Sequence, residues 1–196
     1  MPPARTPSKP PRRRADAERS VARILDAAID ALASDPEASM AEIARRAGVV
    51  RATIYVHFPT RESLIEAITL RAVAEVTEQI VAVEPERGDA AEALARVVAV
   101  TWRALARFHA LIALNARQSS AELRRRHEAV LAVLEPLIAR GRRDGSFRAD
   151  VPVQWHLSMI LALVHAASAE LREGRVTADR AEAAVVATVL GAVRGP

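Results

Sequence analysis

The sequence predicts an all-α protein, and three observations carry that reading. Alanine, leucine, arginine and glutamate, all strong helix formers, dominate the composition. The apolar residues recur at spacings of three and four, not two, and no segment alternates in the manner of a half-buried strand. With 196 residues, 51% of them hydrophobic, the chain is long enough to bury one or two cores without staples. Cysteine is absent, which excludes a disulfide framework, a thiolate nucleophile and Cys-ligated zinc or iron–sulfur sites. A reducing, cytoplasmic compartment fits that composition.

The net charge of +4 is unevenly placed. Arg5, Lys9, Arg12, Arg13 and Arg14 fall in residues 1–14, which hold no acid; removing those five from the 28 Lys plus Arg leaves 23 against 24 Asp plus Glu. The body is therefore close to neutral. The Pro-rich residues 1–14 are expected to be a disordered basic arm, either adding phosphate attraction to a nucleic-acid site or serving as a solvated extension. They lack the apolar stretch of a secretory signal.

A first helix is expected over Asp16–Ala33, with Val21, Ile24, Leu25, Ala28, Ile29 and Leu32 on one face. Two short helices follow, Met40–Ala47 and Arg51–His57, then a longer one, Arg61–Val83, with Leu64, Ile65, Ile68, Ala72 and Val76 inward. The linker at 84–89, EPERGD, is expected to separate a first domain (15–83) from a second (84–196). In the second, helices are expected over Asp89–Phe108, His109–Arg117, Ala121–Arg143 (kinked at Pro136 and closed by Gly141, Asp144 and Gly145), Pro152–Glu173, and from Thr177, as cap, to Arg194. The uncharged stretch Val151–Ala169 holds Pro152, Gln154, His156, Ser158, His165 and Ser168, so it reads as a buried helix and not as a membrane span.

The last two helices lack a clean polar face. Trp155, Met159, Leu163 and Ala166 lie along one side of the first and Leu157, Ile160, Leu161, Val164 and Leu171 cover much of the rest; the second reads AEAAVVATVLGAV. A helix apolar nearly all round needs burial nearly all round, and a second copy of the same pair supplies it. Two-fold symmetry then predicts a homodimer through a four-helix bundle.

The segment from Ser39 to Arg61, SMAEIARRAGVVRATIYVHFPTR, carries the function. Ser39 and Glu42 form a capping-box pair, Ile43, Ala44 and Ala47 face inward, and Gly48 stands where the chain must turn. Val49 and Ile54 pack the next helix back, and the spacing of Ala44, Gly48 and Ile54 is that of a helix-turn-helix, whose second helix can enter a major groove. Away from Ile54 and Phe58 lie Arg51, Ala52, Thr53, Tyr55, Val56 and His57. Arginine bonds guanine, Thr and Tyr bond phosphate, and Ala or Val touches a thymine methyl. Pro59 ends that helix, Thr60 caps the following one, and Arg61 sits at its positive end.

These motifs, EIARRAGV and IYVHF followed by a basic residue, resemble the TetR family of bacterial transcriptional regulators. The resemblance implies an N-terminal three-helix DNA-binding domain and a C-terminal helical domain for ligand binding and dimerisation. It further implies that Arg51, Thr53 and Tyr55 face the groove while Ser39, His57 and Arg61 hold phosphates. Val50 stands where a capping Ser is common in the family, and Ala52 where Gly is common.

A ligand-sensing second domain needs a few polar groups on core faces. The candidates are Trp102, Phe108, His109, Asn115, Gln118, His127, Trp155, His156, Met159 and His165. His156 and His165 fall on opposite sides of one helix and so cannot share a metal within it. No HExxH, GxGxxG, Walker loop or nucleophile elbow occurs, so neither metal, cofactor nor catalytic residues are expected. The leading expectation is a homodimeric repressor released from a near-palindromic, double-stranded operator by a small molecule. The alternative is a helical-bundle ligand carrier or enzyme whose helix-turn-helix is only architectural.

Overall fold

A computed structural model describes residues 11–108 and 120–194, and among them every regular element is helical. The helices are α1 (Pro11–Ser34), α2 (Met40–Arg46), α3 (Arg51–His57), α4 (Arg61–Ala82), α5 (Ala90–Ala104), α6 (Ser120–Arg126), α7 (Glu128–Arg143), α8 (Val153–Arg172) and α9 (Ala178–Val193), with a 3-10 turn at Leu105–Arg107 after α5. The chain divides into two compact units, Met1–Ile68 and Thr69–Pro196. The division falls inside α4 and not at the 84–89 linker, where the sequence placed it. A pattern break marks where helices end, but compactness follows which apolar residues are buried together, and α4 contributes to both units.

In the first unit α1 packs on α2, and α2 on α3. Ile24, Ala28, Ile29, Ala31 and Leu32 of α1, Ile43 and Ala44 of α2, Ile54 of α3, and Leu64 and Ile68 of α4 are all but inaccessible to solvent. Burying side chains of this size is worth roughly 1.5–3 kcal/mol each, so this small set supplies most of the unit's cohesion. Helix α1 begins at Pro11, earlier than expected; proline suits a first helical turn because its missing N–H would find no partner there. Residues 11–14 are therefore helical and do not belong to an unstructured arm, while residues 1–10 lie outside the described residues.

In the second unit α5 packs on α7 and α9, and α8 on α7 and α9. Its core joins Val76 and Ile80 to Leu94, Val97, Trp102, Leu134, Ile138, Phe147, Leu157, Val164, Val185 and Val189. The Asp89 carboxylate caps α5 by accepting from the amides of Ala91 (2.8 Å) and Glu92 (3.0 Å). The 84–89 linker is pinned by the Arg140 guanidinium, which donates to the carbonyls of Pro85 and Glu86. The Trp102 indole donates to the Ala178 carbonyl at 3.2 Å, tying α5 to the start of α9.

Four local expectations need correction. The helix expected over Ala121–Arg143 is interrupted at His127 and runs through Pro136 without a break. A proline removes one interior bond, which α7 absorbs, whereas the His127 amide is shared between the Leu123 and Arg124 carbonyls and leaves helical geometry. Gly141 does not close that helix but lies inside it: a β-carbon there would come within 2.2–2.8 Å of the Phe147 ring. Asp144 and Gly145, with φ +84°, make the turn. The helix expected to reach Phe108 stops at Ala104 and tightens into the 3-10 turn. Thr177 occupies the cap position of α9, yet its side chain makes no capping bond. The expected helix His109–Arg117 lies outside the described residues.

Candidate nucleic-acid interface and apolar cavity

The turn between α2 and α3 is built from short-range chemistry. The Ser39 hydroxyl accepts from the Glu42 amide at 3.2 Å, which starts α2. The return half of the expected capping box is not made, because the Glu42 carboxylate is taken by Arg45 (2.6 and 2.9 Å) and Arg46 (2.9 Å). Those guanidinium bonds hold the Glu42 carboxyl at about 2, below the usual carboxylate range. Gly48 has φ +63°, the left-handed conformation that a residue with a β-carbon adopts only at a cost. The Val49 amide then donates back to the Ala44 carbonyl at 3.0 Å, closing the turn.

Helix α3 buries Ile54 completely and presents the opposite side to solvent. Arg51, Ala52, Tyr55 and Val56 are exposed, and Thr53 and His57 are half-buried. The exposed residues form two parallel rows one helical turn long. Arg51 and Tyr55 make a polar row, with the guanidinium carbon 5.6 Å from the ring centroid. Ala52 and Val56 make an apolar row, and Val56 is 77% exposed, the most exposed of the large apolar side chains. Val50, 70% exposed, holds the cap position of α3 without a side-chain capping bond, as a valine must. Val50, Ala52 and Val56 thus stand together in water on the side of α3 away from Ile54.

Thr60 caps α4, accepting from the Ser63 amide at 3.1 Å, while its own amide donates to the Ser63 hydroxyl at 3.2 Å. Arg61 does something that the sequence reading missed. Its guanidinium donates to the carbonyls of Pro36 (2.5 Å) and Ala38, clamping the loop that precedes Ser39 to the start of α4. Carbonyl acceptors distant in sequence leave no sequence signal. Arg61 thus positions the helix-turn-helix, whatever else it touches.

The second unit holds an apolar cavity offering about 80 Å³ to the centres of water-sized molecules, where a single water needs roughly 10–15 Å³. Ala72, Val73 and Val76 of α4, Val97, Val98 and Leu105 from the α5 region, Val130, Leu131 and Leu134 of α7, and Leu157, Ile160, Leu161 and Val164 of α8 line it. Its polar lining is Thr69, Thr101, Arg126, His127 and His165. Burial lowers the His165 pKa to about 4, with the neighbouring His127 adding to the effect, and burial also lowers that of His127.

Of the residues singled out from sequence as ligand contacts, Phe108, His127 and His165 line this cavity. Trp102 is buried but committed to α9 through its indole N–H. Trp155 is 64% exposed, because it projects from the first turn of α8 on the side away from the core. Met159 is half-buried against the core without lining the cavity. His156 is buried, with Nδ1 3.3 Å from the Pro152 carbonyl and no partner at Nε2 among the described residues, and it too lies apart from the cavity lining. His109, Asn115 and Gln118 lie outside the described residues. The apolar wall from α4, α7 and α8 was not singled out, since a valine lining a cavity has the same spacing as one filling a core.

Residues 24–68 match the model of bacterial regulatory proteins of the tetR family, and residues 71–170 match that of the YsiA-like protein C-terminal region. The chain belongs to the TetR family. It is a DNA-binding transcriptional regulator of the TetR type, with the helix-turn-helix in the first unit. The fatty acid metabolism regulator protein of Bacillus subtilis is 26% identical over 151 residues, covering 72% of this chain and 78% of that protein. A crystal structure of FadR from Bacillus subtilis in complex with stearoyl-CoA shares the fold, with TM-score 0.71 at 22% identity, covering 88% of this chain and 98% of that one. So does LfrR from Mycobacterium smegmatis in complex with proflavine, with TM-score 0.67 at 23% identity, covering 91% and 98%. The second of the two family matches falls within the second unit.

Proposed function

We propose that the chain acts as a homodimeric repressor, that α3 of each protomer reads one half of a near-palindromic operator, and that a small, mainly apolar molecule entering the cavity releases it. The observation that carries this reading is the exposed double row Arg51–Tyr55 and Ala52–Val56 on an α3 anchored by buried Ile54. Arg51 suits a guanine edge, Val56 and Ala52 suit thymine methyls, Thr53 and Tyr55 would complete the groove face, and Ser39, His57 and Thr60 would hold phosphates.

The dimer reading draws on the last two helices. Ala183, Ala184, Ala187, Thr188 and Gly191 of α9 and Trp155, Ala162 and Ala166 of α8 are exposed in the single chain, a largely apolar surface of small residues that a second copy would cover. Two recognition helices so joined would reach successive major grooves about 34–36 Å apart or a multiple of that. A ligand that binds better to a conformation with another separation lowers DNA affinity by that difference. Helix α4 offers a route, since it begins at the cap Thr60 and lines the cavity with Thr69, Ala72, Val73 and Val76.

Ligand release is supported by the relatives solved with stearoyl-CoA and proflavine. Family membership favours a regulator over a helical ligand carrier or an enzyme. Among the described residues no helix is long and apolar enough to cross a membrane, and a repressor of this kind works in the cytoplasm where its operator lies. Electrophoretic retardation of the DNA flanking its own gene, with light scattering on the same sample, tests the reading. A retarded band that weakens steeply with salt, from a species of twice the chain mass, supports it; a stable monomer at micromolar concentration, or no retarded fragment in dilute buffer, contradicts it.

A further inference from the structure

We propose that the cavity of the second unit selects an uncharged, mainly apolar molecule bearing a hydroxyl group, held at the His127–His165 end, and that it rejects organic cations. This rests on the cavity being the effector site and adds the chemistry of what enters it.

The first support is the absence of a counter-charge. No Asp or Glu occurs in the described lining. Residues 109–119, HALIALNARQS, contain none either, so they bring no carboxylate wherever they lie. Glu128, next to His127 in sequence, is exposed and outside the described lining, and Glu122 is bound by Arg125 and by Arg126 Nε at 3.1 Å. A cation entering these walls would give up its water with no anion to replace it, and the desolvation penalty of an unpaired ion is several kcal/mol or more.

The second support is the hydrogen-bonding state of the imidazoles. His127 Nδ1 lies 2.9 Å from the Leu123 carbonyl oxygen. A carbonyl only accepts, so Nδ1 carries the hydrogen and Nε2 carries a lone pair. The His165 ring stands edge-on to it, with centroids 5.5 Å apart and planes at 76°. Burial keeps both rings neutral at pH 7, so the pair offers at least two lone-pair or N–H positions and no charge. A hydroxyl donates and accepts through one atom and so suits the His127 lone pair and either nitrogen of His165. A carboxylate has no hydrogen for Nε2 of His127, and Glu122 already supplies a counter-charge to Arg126 through its Nε. Among the described residues the remaining wall is aliphatic or aromatic apart from two threonines, which suits a ligand body without polar groups.

Calorimetric titration of the full chain with four probes of one length, 1-octanol, 1-chlorooctane, octanoate and octylammonium, tests this. Octanol is expected to bind at least about tenfold more tightly than octylammonium, and about three- to tenfold more tightly than chlorooctane or octanoate. His127→Leu removes the lone pair at similar volume and should erase the gap between octanol and chlorooctane, with unchanged circular dichroism; His165→Leu, on the opposing ring, should narrow it independently. Octylammonium binding as tightly as octanol overturns the proposal, as does a gap that survives in both variants. In either case DNA release by whichever probe binds leaves the effector-site reading standing. If none of the four binds, both fail together.

Discussion

The two units make their functional surfaces in opposite ways. In the first, the exposed row of α3 lies within seven consecutive residues, and its turn is set by Ser39, Gly48 and Thr60 through bonds to near neighbours. In the second, the cavity gathers residues from α4, the α5 region, α6, α7 and α8, and no single helix outlines it. A surface made by one short helix is specified locally, whereas a cavity is what several helices fail to fill. The first therefore depends on a few backbone and anchor positions, and the second on the packing of the whole unit.

Breaking the first unit at its anchor should have the largest effect. Ile54 is fully buried, so Ile54→Asp places an unpaired carboxylate in a core and should cost more than about 4 kcal/mol. DNA retardation is expected to vanish while octanol binding to the second unit persists; loss of both would show that the units do not fold independently.

The second unit should respond most to pH. The His165 pKa falls from 6.5 to about 4 on folding. Above 6.5 the ring is neutral in both states; between 6.5 and 4 only the unfolded chain takes up the proton, so stability drops as pH falls through that window, by up to about 3 kcal/mol. Urea unfolding at pH 7 and pH 4.5 measures this, and His165→Leu should flatten it.

Next come two glycines that sharpen the contrast. Gly141→Ala drives a β-carbon into the Phe147 ring and should destabilise the second unit by about 1–3 kcal/mol. Gly48→Ala meets no atom within 4 Å and costs about 1–2 kcal/mol through its left-handed backbone alone. Urea midpoints of each variant separate a packing defect from a backbone one. The smallest change is Ser39→Ala, which loses one capping bond, about 1 kcal/mol, and should lower the melting temperature of the first unit slightly.

This division also explains what was legible in the sequence. The bounds of α3 were read as they stand, because Gly48, Pro59 and the buried spacing of Ile54 act within a few residues. The Ser39 cap was legible for the same reason, but the competing bonds of Arg45 and Arg46 to Glu42 were not, since side chains three and four apart choose among several partners. The Arg61 clamp onto Pro36 and Ala38 could not be foreseen, because backbone carbonyls are the same in every sequence. In the second unit polarity on an apolar face drew notice to His127 and His165, which line the cavity, while Trp155 and His156 carried the same signal and lie elsewhere. The helix break at His127 was missed, because a proline announces itself and a shared amide does not.

The central claim, that α3 reads DNA through its exposed face, is tested most directly by fluorescence anisotropy on an operator fragment, comparing the native chain with the Arg51→Ala, Tyr55→Ala double variant over a range of salt. Both side chains are at the surface, so circular dichroism and the melting temperature should stay as they are. Affinity should fall by about 10- to 100-fold with loss of preference for the operator over random DNA. Equal affinity and equal preference in the variant would contradict the assignment of α3.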